Sequence, residues 1–217
     1  GHERLDSIAA VAGMVAERLP ERFDIAAWSM GGYILFALWP EIATRVNKLV
    51  LVDTSARPES AMNRQRRAET LARAAREGVR AAHRASLDVA IADPQSVPAS
   101  FMARLHEAAE GLGIAALEAQ IAAMIARADS RPLLPSIGVP TLVVVGEHDR
   151  VTPPECAEEM AAAIPAAWLH VFAGAGHCPP FETPETFNAV FAAFLDTDPA
   201  PAPRTGAIRH FSLAPTT

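Results

Sequence analysis

The stretch Ala26-Ala27-Trp28-Ser29-Met30-Gly31-Gly32 decides how this chain is read. Ile25 to Ala27 has the composition of a short buried strand, and Gly31 to Leu38 opens a helical run. A residue on so abrupt a strand-to-helix turn takes a strained backbone conformation, and small neighbours two residues before and after it let the turn close. Ala27 and Gly31 stand in those places. The strain aims the Ser29 hydroxyl outward. The helix start behind it offers the Met30 backbone N–H and the positive end of the helix dipole to a developing oxyanion. This is the nucleophile elbow G-x-S-x-G, with Ala27 in place of the first glycine. The plainer alternative is an ordinary strand–turn–helix with a capping serine.

A serine nucleophile needs a base within hydrogen-bond reach and an acid to orient that base. Of the seven histidines, His177 has the fitting surroundings. Leu169 to Phe172 reads as a strand end, and Ala173-Gly174-Ala175-Gly176-His177-Cys178-Pro179-Pro180 reads as a loop whose glycines free the backbone to place the imidazole. Thr183-Pro184-Glu185 then starts a helix, with Thr183 as N-cap and Pro184 in the first helical position. For the acid, Thr141 to Val145 is a continuous β-branched run, the pattern of a strand buried on both faces of a parallel sheet. Asp149 follows Gly146 at the C-terminal end of that strand, where open α/β sheets place their chemistry. Asp53, at the end of Leu49 to Val52, is the rival, with a turn-forming role toward Thr54-Ser55 as its alternative.

The order Ser29, Asp149, His177 and the three motifs together resemble the α/β-hydrolase superfamily over nearly all of residues 5–196. The elbow matches Ala27 to Gly31, the acid turn matches Gly146 to Asp149, and the histidine block matches Gly176-His177 with Glu182 and Pro184. Trp28-Ser29-Met30-Gly31-Gly32 and Leu51-Val52-Asp53-Thr54-Ser55-Ala56-Arg57 are similar to the small bacterial hydrolases with a helical cap. That group includes carboxylesterases and the esterases that cleave pimeloyl-carrier-protein methyl ester. The resemblance implies an α/β fold, the C-terminal part of a mostly parallel sheet flanked by helices, with an inserted helical cap. It also implies a Ser-His-Asp serine hydrolase that cleaves carboxylic esters through an acyl-enzyme. The same triad serves thioesterases, C–C hydrolases, perhydrolases and acyltransferases. A non-catalytic fragment acting as a binding module is the rival from another class.

The chain has 217 residues, half of them hydrophobic and a fifth charged, which suits one globular domain. A net charge of −6 gives no basic surface for nucleic acid. No apolar run suggests a membrane span, and no secretory signal is evident. The two cysteines, Cys156 and Cys178, read as free thiols of a cytoplasmic protein, and neither a metal nor a cofactor is expected.

Leu5 to Leu19 has helical spacing, and Pro40 is expected to separate the helix after Ser29 from a loop. The organisation is then an α/β core over 1–55, a cap of four short helices over 56–139, and core again over 140–196. A Pro/Ala/Thr-rich tail over 197–217 is expected to be mobile. So few elements precede Ser29 that the chain reads as the C-terminal part of a longer enzyme. Expressed alone, it is expected to be poorly soluble and short of one oxyanion donor. In the cap, Arg64, Arg66, Arg67, Arg73, Arg76, Arg80 and Arg84 read as a solvated helix face, or as a docking surface for an acyl carrier protein. Phe101, Met102, Leu105, Ile121, Met124 and Ile125 recur at helical spacing as cap core, a few of them facing an acyl pocket. Trp28 is a candidate substrate contact, with packing under the elbow as its alternative.

Overall fold

The computed structural model describes residues 7–196 and 208–213. Four strands, β1 (Phe23–Trp28), β2 (Val46–Val52), β3 (Thr141–Gly146) and β4 (Ala167–Phe172), form a wholly parallel sheet in sequence order. The period of two along the central strands sorts their side chains onto two faces. Leu49, Leu51, Val143 and Val145 join Leu35, Phe36, Trp39 and Ile42 of α2 (Met30–Ile42) and Met160 of α6 (Pro154–Ala163) on one face. Val50, Val52, Leu142 and Val144 meet Val190 and Phe194 of α8 (Pro184–Asp196) on the other. Burial on both faces explains why β2 and β3 read as near-continuous apolar runs.

Helix α1 (Ile8–Ala16) packs beside α2, with Ser7 accepting from the Ala10 N–H as its N-cap. Pro40 does not end α2; it sits in the last turns of a helix that continues to Ile42. There the apolar face supplied by Leu38, Trp39 and Ile42, all nearly inaccessible to solvent, outweighs one missing N–H.

Between β2 and β3 lies a helical insertion of α3 (Ala61–Glu77), α4 (Val79–Ala90) and α5 (Ala99–Ala126). The long α5 is broken at Gly113, whose φ of +79° suits glycine, so the insertion has the four helical segments its sequence suggests. By length and composition α5 is apolar enough to cross a membrane, which the sequence reading overlooked because its apolarity rests on alanines rather than on a run of large residues. The break at Gly113 leaves halves of about 20 Å, at 1.5 Å rise per residue, against the roughly 30 Å of a bilayer core. Leu134 and Ile137 fall within the range expected for the cap, yet both are fully buried in the core cluster on one face of the sheet, so by packing they belong with the core.

Part of the expected mobile tail is placed. Residues 208–213 lie along β4: the Leu169 N–H donates to Arg209 O at 2.7 Å and the Phe211 N–H to Leu169 O at 2.8 Å. The Arg209 guanidinium covers the Trp168 ring at 3.9 Å, and Phe211 meets Phe194 edge-on. A β4 edge with unpaired backbone groups recruits these few apolar residues despite their proline-rich approach. The remainder of the tail, 197–207 and 214–217, lies outside the described residues, as does Leu5.

Candidate active site

The site gathers at the C-terminal ends of β1, β3 and β4. Ser29 stands between β1 and α2 with φ +50° and ψ −117°, a conformation costly for any residue with a side chain. The turn is tied down on both sides. The Ser29 N–H donates to Val52 O at 2.9 Å, and the Thr54 hydroxyl donates to Ser29 O at 2.8 Å. The small residue that this packing demands is Gly32 rather than Gly31. A Cβ on Gly31 would meet nothing within 4 Å among the described residues, whereas one on Gly32 would strike the Thr54 side chain. Met30 is the first residue of α2, so its N–H has no acceptor within the helix and donates to no other group among the described residues.

His177 Nε2 lies 2.8 Å from Ser29 Oγ, and its Nδ1 lies 2.8 Å from Asp149 Oδ2. The sequence-predicted trio is thus brought into one hydrogen-bonded line. Asp149 is buried, and burial alone pushes its carboxyl up. The hydrogen bond and charge of His177, with the N–H groups of Val151 (2.7 Å) and Thr152 (3.0 Å), outweigh that and hold it below the usual carboxylate range. The Thr152 hydroxyl adds a fourth donor at 2.8 Å. An ionised Asp149 fixes Nδ1 of His177 as the protonated nitrogen and leaves Nε2 to accept from Ser29.

Asp53 is buried beside them. One ligand-type atom from each of Asp53, Asp149 and His177 lies within 4.8 Å of the others. Asp53 also carries a positive φ of +42°; its Oδ1 accepts the Gly146 N–H at 2.9 Å, while Oδ2 has no partner among the described residues. Burial, then the neighbouring Asp149 charge, pushes its carboxyl well above the usual range. Two buried carboxylates this close do not both ionise. Asp149 has four donors and Asp53 one, so the proton stays on Asp53. A cluster whose imidazole and acid are already bonded to each other, with a neutral third member, suits a proton better than a cation.

The sequence reading did not foresee how the histidine loop is held. Glu182, noted only as part of a motif, accepts the N–H groups of Gly176 (3.0 Å), Cys178 (3.0 Å) and Ala92 (2.7 Å). The backbone N–H of His177 donates to Ala90 O at 2.6 Å, at the end of α4. Its carbonyl accepts from Trp28 Nε1 at 3.0 Å. Trp28 is thereby tied to the histidine loop. It is 38% exposed, braces the loop, and stands edge-on to Phe181, which in turn contacts Phe101. A Cβ on Gly176 would collide with the backbone of Ala90 and Ala92, so this close approach requires glycine. Thr183 does not cap α8 with its side chain; its hydroxyl donates back to Pro179 O. Cys178, beside His177, is pushed up by burial to about 12 and stays a neutral thiol.

Comparison with known proteins agrees with this architecture. The model of an alpha/beta hydrolase family matches residues 1–190. A pimeloyl-[acyl-carrier protein] methyl ester esterase of Nitrosomonas europaea is 28% identical over 196 residues, covering 87% of this chain and 77% of its own. One from Neisseria meningitidis is 30% identical over 198 residues, covering 87% and 75%. Among solved structures, a thermophilic esterase from Thermogutta terrifontis superposes with a TM-score of 0.77 at 29% identity, over 88% of this chain and 72% of its own. The enol-lactonase of Burkholderia xenovorans LB400 gives 0.72 at 26% identity, over 88% and 74%. With a family match over most of its length and a parallel sheet ordered as found here, the chain belongs to the alpha/beta hydrolase family of enzymes.

Proposed function

We propose that this protein is a serine hydrolase of carboxylic esters, with Ser29 as nucleophile, His177 as general base and acid, and Asp149 as the group that orients the imidazole. The observation that carries the reading is the line Ser29 Oγ–His177 Nε2–His177 Nδ1–Asp149 Oδ2, closed by two contacts of 2.8 Å. As Ser29 Oγ attacks the ester carbonyl, its proton passes to Nε2, and Asp149 stabilises the imidazolium. The tetrahedral oxyanion forms against the Met30 N–H. Nε2 then gives its proton to the leaving alkoxide, which departs as alcohol and leaves an acyl-Ser29. Water, deprotonated by the same imidazole, attacks that acyl group; carboxylic acid leaves and Ser29 regains its proton. Ester and water balance the cycle.

Trp28, Phe181 and Phe101 form an apolar wall next to Ser29 and His177, and we assign this wall, including Trp28, to contact with substrate. The helical insertion acts in this reading as the cap. The resemblance to pimeloyl-carrier esterases supports an acyl carrier protein as partner, docking on the cap arginines. Arg67 leaves that set. Its guanidinium is largely covered and paired with the buried Glu59 at 2.8 Å, so it serves packing. Arg64, Arg66, Arg73, Arg76, Arg80 and Arg84 are exposed, with Arg80 tied to Glu110.

The test is labelling by a fluorophosphonate probe together with hydrolysis of a chromogenic butyrate ester. Ser29→Ala is expected to abolish both, with an unchanged circular dichroism spectrum. Retention of more than about a thousandth of wild-type turnover, far above the roughly millionth left when a triad serine is lost, removes Ser29 from the mechanism.

A further inference from the structure

A cavity of about 250 Å³ lies between the start of α3 and the loop that carries Asp149. Four arginines line it: Arg57, Arg66, Arg127 and Arg150. Their charges are unevenly matched. Arg57 pairs with Glu159 at 2.9 Å, and Arg127 shares Glu59 with Arg67. Arg66 and Arg150 pair with no carboxylate among the described residues. Arg66 donates to Arg150 O at 3.2 Å, and Arg150 to Val89 O and Asp88 O at 3.1 and 2.9 Å. A carbonyl satisfies an N–H group without neutralising the guanidinium charge. The N-terminus of the 17-residue α3, capped by Ser60, opens on the same cavity and adds orphan N–H groups and positive dipole. Planar guanidinium forks around a confined space select a planar anion, which is what a carboxylate offers.

The cavity also reaches the hydrogen-bonded line at its Asp149 end. Thr152 lines it and donates its hydroxyl to Asp149. Tyr33, one helical turn after Ser29 on α2, forms another wall, and Met62 and Val151 give it apolar patches that suit a short hydrocarbon chain. We infer that this cavity is a carboxylate subsite, and that the protein's substrates are esters bearing a free carboxylate some bonds away from the scissile carbonyl, such as half-esters of short dicarboxylic acids. The inference rests on the ester-hydrolase reading of Ser29 and adds a substrate class to it. Arg66 and Arg150 supply the unneutralised charge, and Arg57, at the solvent-facing rim, supplies a further fork.

Two independent measurements test it on the full chain. In the first, kcat/KM is measured at low salt for methyl half-esters of dicarboxylic acids of five to eight carbons and for the uncharged methyl alkanoates of equal length. At one or more lengths the half-ester is expected to be preferred about 10- to 100-fold, the range of a charge-assisted hydrogen bond. Arg66→Gln should cut that preference about tenfold, and Arg66→Lys, which keeps the charge but loses the planar fork, should fall between. In the second, binding of free glutarate, adipate and inorganic phosphate to the Ser29→Ala protein is followed by calorimetry. Dicarboxylate binding that weakens about tenfold in Arg66→Gln supports the subsite. Equal kcat/KM for charged and uncharged esters at every length overturns the proposal. So does a preference indifferent to both Arg66→Gln and Arg57→Gln, or tighter binding of phosphate than of either dicarboxylate. Arg66-dependent dicarboxylate binding without hydrolysis of any ester supports the subsite and overturns the hydrolase reading instead.

Discussion

Asp53 and Asp149 are the same chemical group in one buried cluster, yet their surroundings give them opposite ionisation. Asp149→Asn is expected to lower kcat by about four orders of magnitude, because the imidazole would settle in the wrong tautomer. Asp53→Asn keeps an acceptor for the Gly146 N–H and replaces a carboxylic acid with an amide, so kcat should change less than tenfold. The reverse ranking of the two kcat values would assign the orienting role to Asp53. Stability separates them as well. Asp53 has a folded value raised above the unfolded one. Its contribution is therefore most favourable below about pH 4 and is lost as pH rises toward the folded value. Asp149, with a lowered folded value, contributes above about pH 4 and loses that contribution as pH falls through the folded value. Urea unfolding at pH 5 and pH 8 should show Asp53→Asn gaining on wild type with rising pH, because only the wild type carries a buried carboxyl that water would ionise in the unfolded chain. At this scale the sequence was legible for Ser29, Asp149 and His177, because each is announced by its neighbours: an elbow, a strand end, a glycine loop. The charge state of Asp53 was not, since it depends on a distance between residues 53 and 149 that no local pattern carries.

At the scale of elements, the histidine loop is held by one carboxylate as well as by the close approach that Gly176 permits. Glu182, on the single turn α7 (Pro179–Glu182), collects three backbone N–H groups from two segments. Glu182→Ala should leave those donors buried and unpaired, destabilising the protein by about 3 kcal/mol or more in urea unfolding. It should also lower kcat of ester hydrolysis at least tenfold by loosening His177. Glu182→Gln, which keeps acceptor oxygen but no charge, should fall between. An Ala variant with wild-type stability and kcat would mean that the Trp28 and Ala90 contacts suffice to hold the loop. The strands and most helices were legible here, because period-two burial and apolar runs are local properties. Pro40 misled, since a proline stops a helix only where packing beyond it is weak; Leu38, Trp39 and Ile42 make it strong. The role of Arg67 was hidden for the converse reason, because its partner Glu59 is near in space and off the helix face that the spacing displays.

For the molecule as a whole, both the outer edge of β4 and the surface of the insertion carry consequences. Residues 208–213 pair with β4, an attachment the sequence could not announce because six residues after a proline-rich stretch have no periodicity to read. Deleting residues 208–217 should bare the β4 edge and raise concentration-dependent association, read by size-exclusion chromatography. An unchanged elution volume up to high protein concentration would show the edge to be protected without them. On the insertion, charge reversal at Arg64, Arg73 and Arg76 should raise KM for a carrier-bound acyl ester several-fold at low salt, with little change for a free methyl ester. Equal effects on both substrates would remove the carrier from the reading. Arg67 is left out of that set because reversing it would set a second carboxylate beside the buried Glu59, with Arg127 alone to offset the two.

The bond from the His177 amide to Ala90 O makes that one hydrogen a clock. It is covered, and its acceptor belongs to the insertion while its donor belongs to the histidine loop. Solvent deuterium can therefore reach it only during the intervals when the two part. At a pH high enough that every opening exchanges it, its exchange rate, read by NMR or mass spectrometry, counts the partings of these two segments. If ester enters by that opening, no substrate can be turned over faster than the clock ticks, and a bound dicarboxylate should slow it.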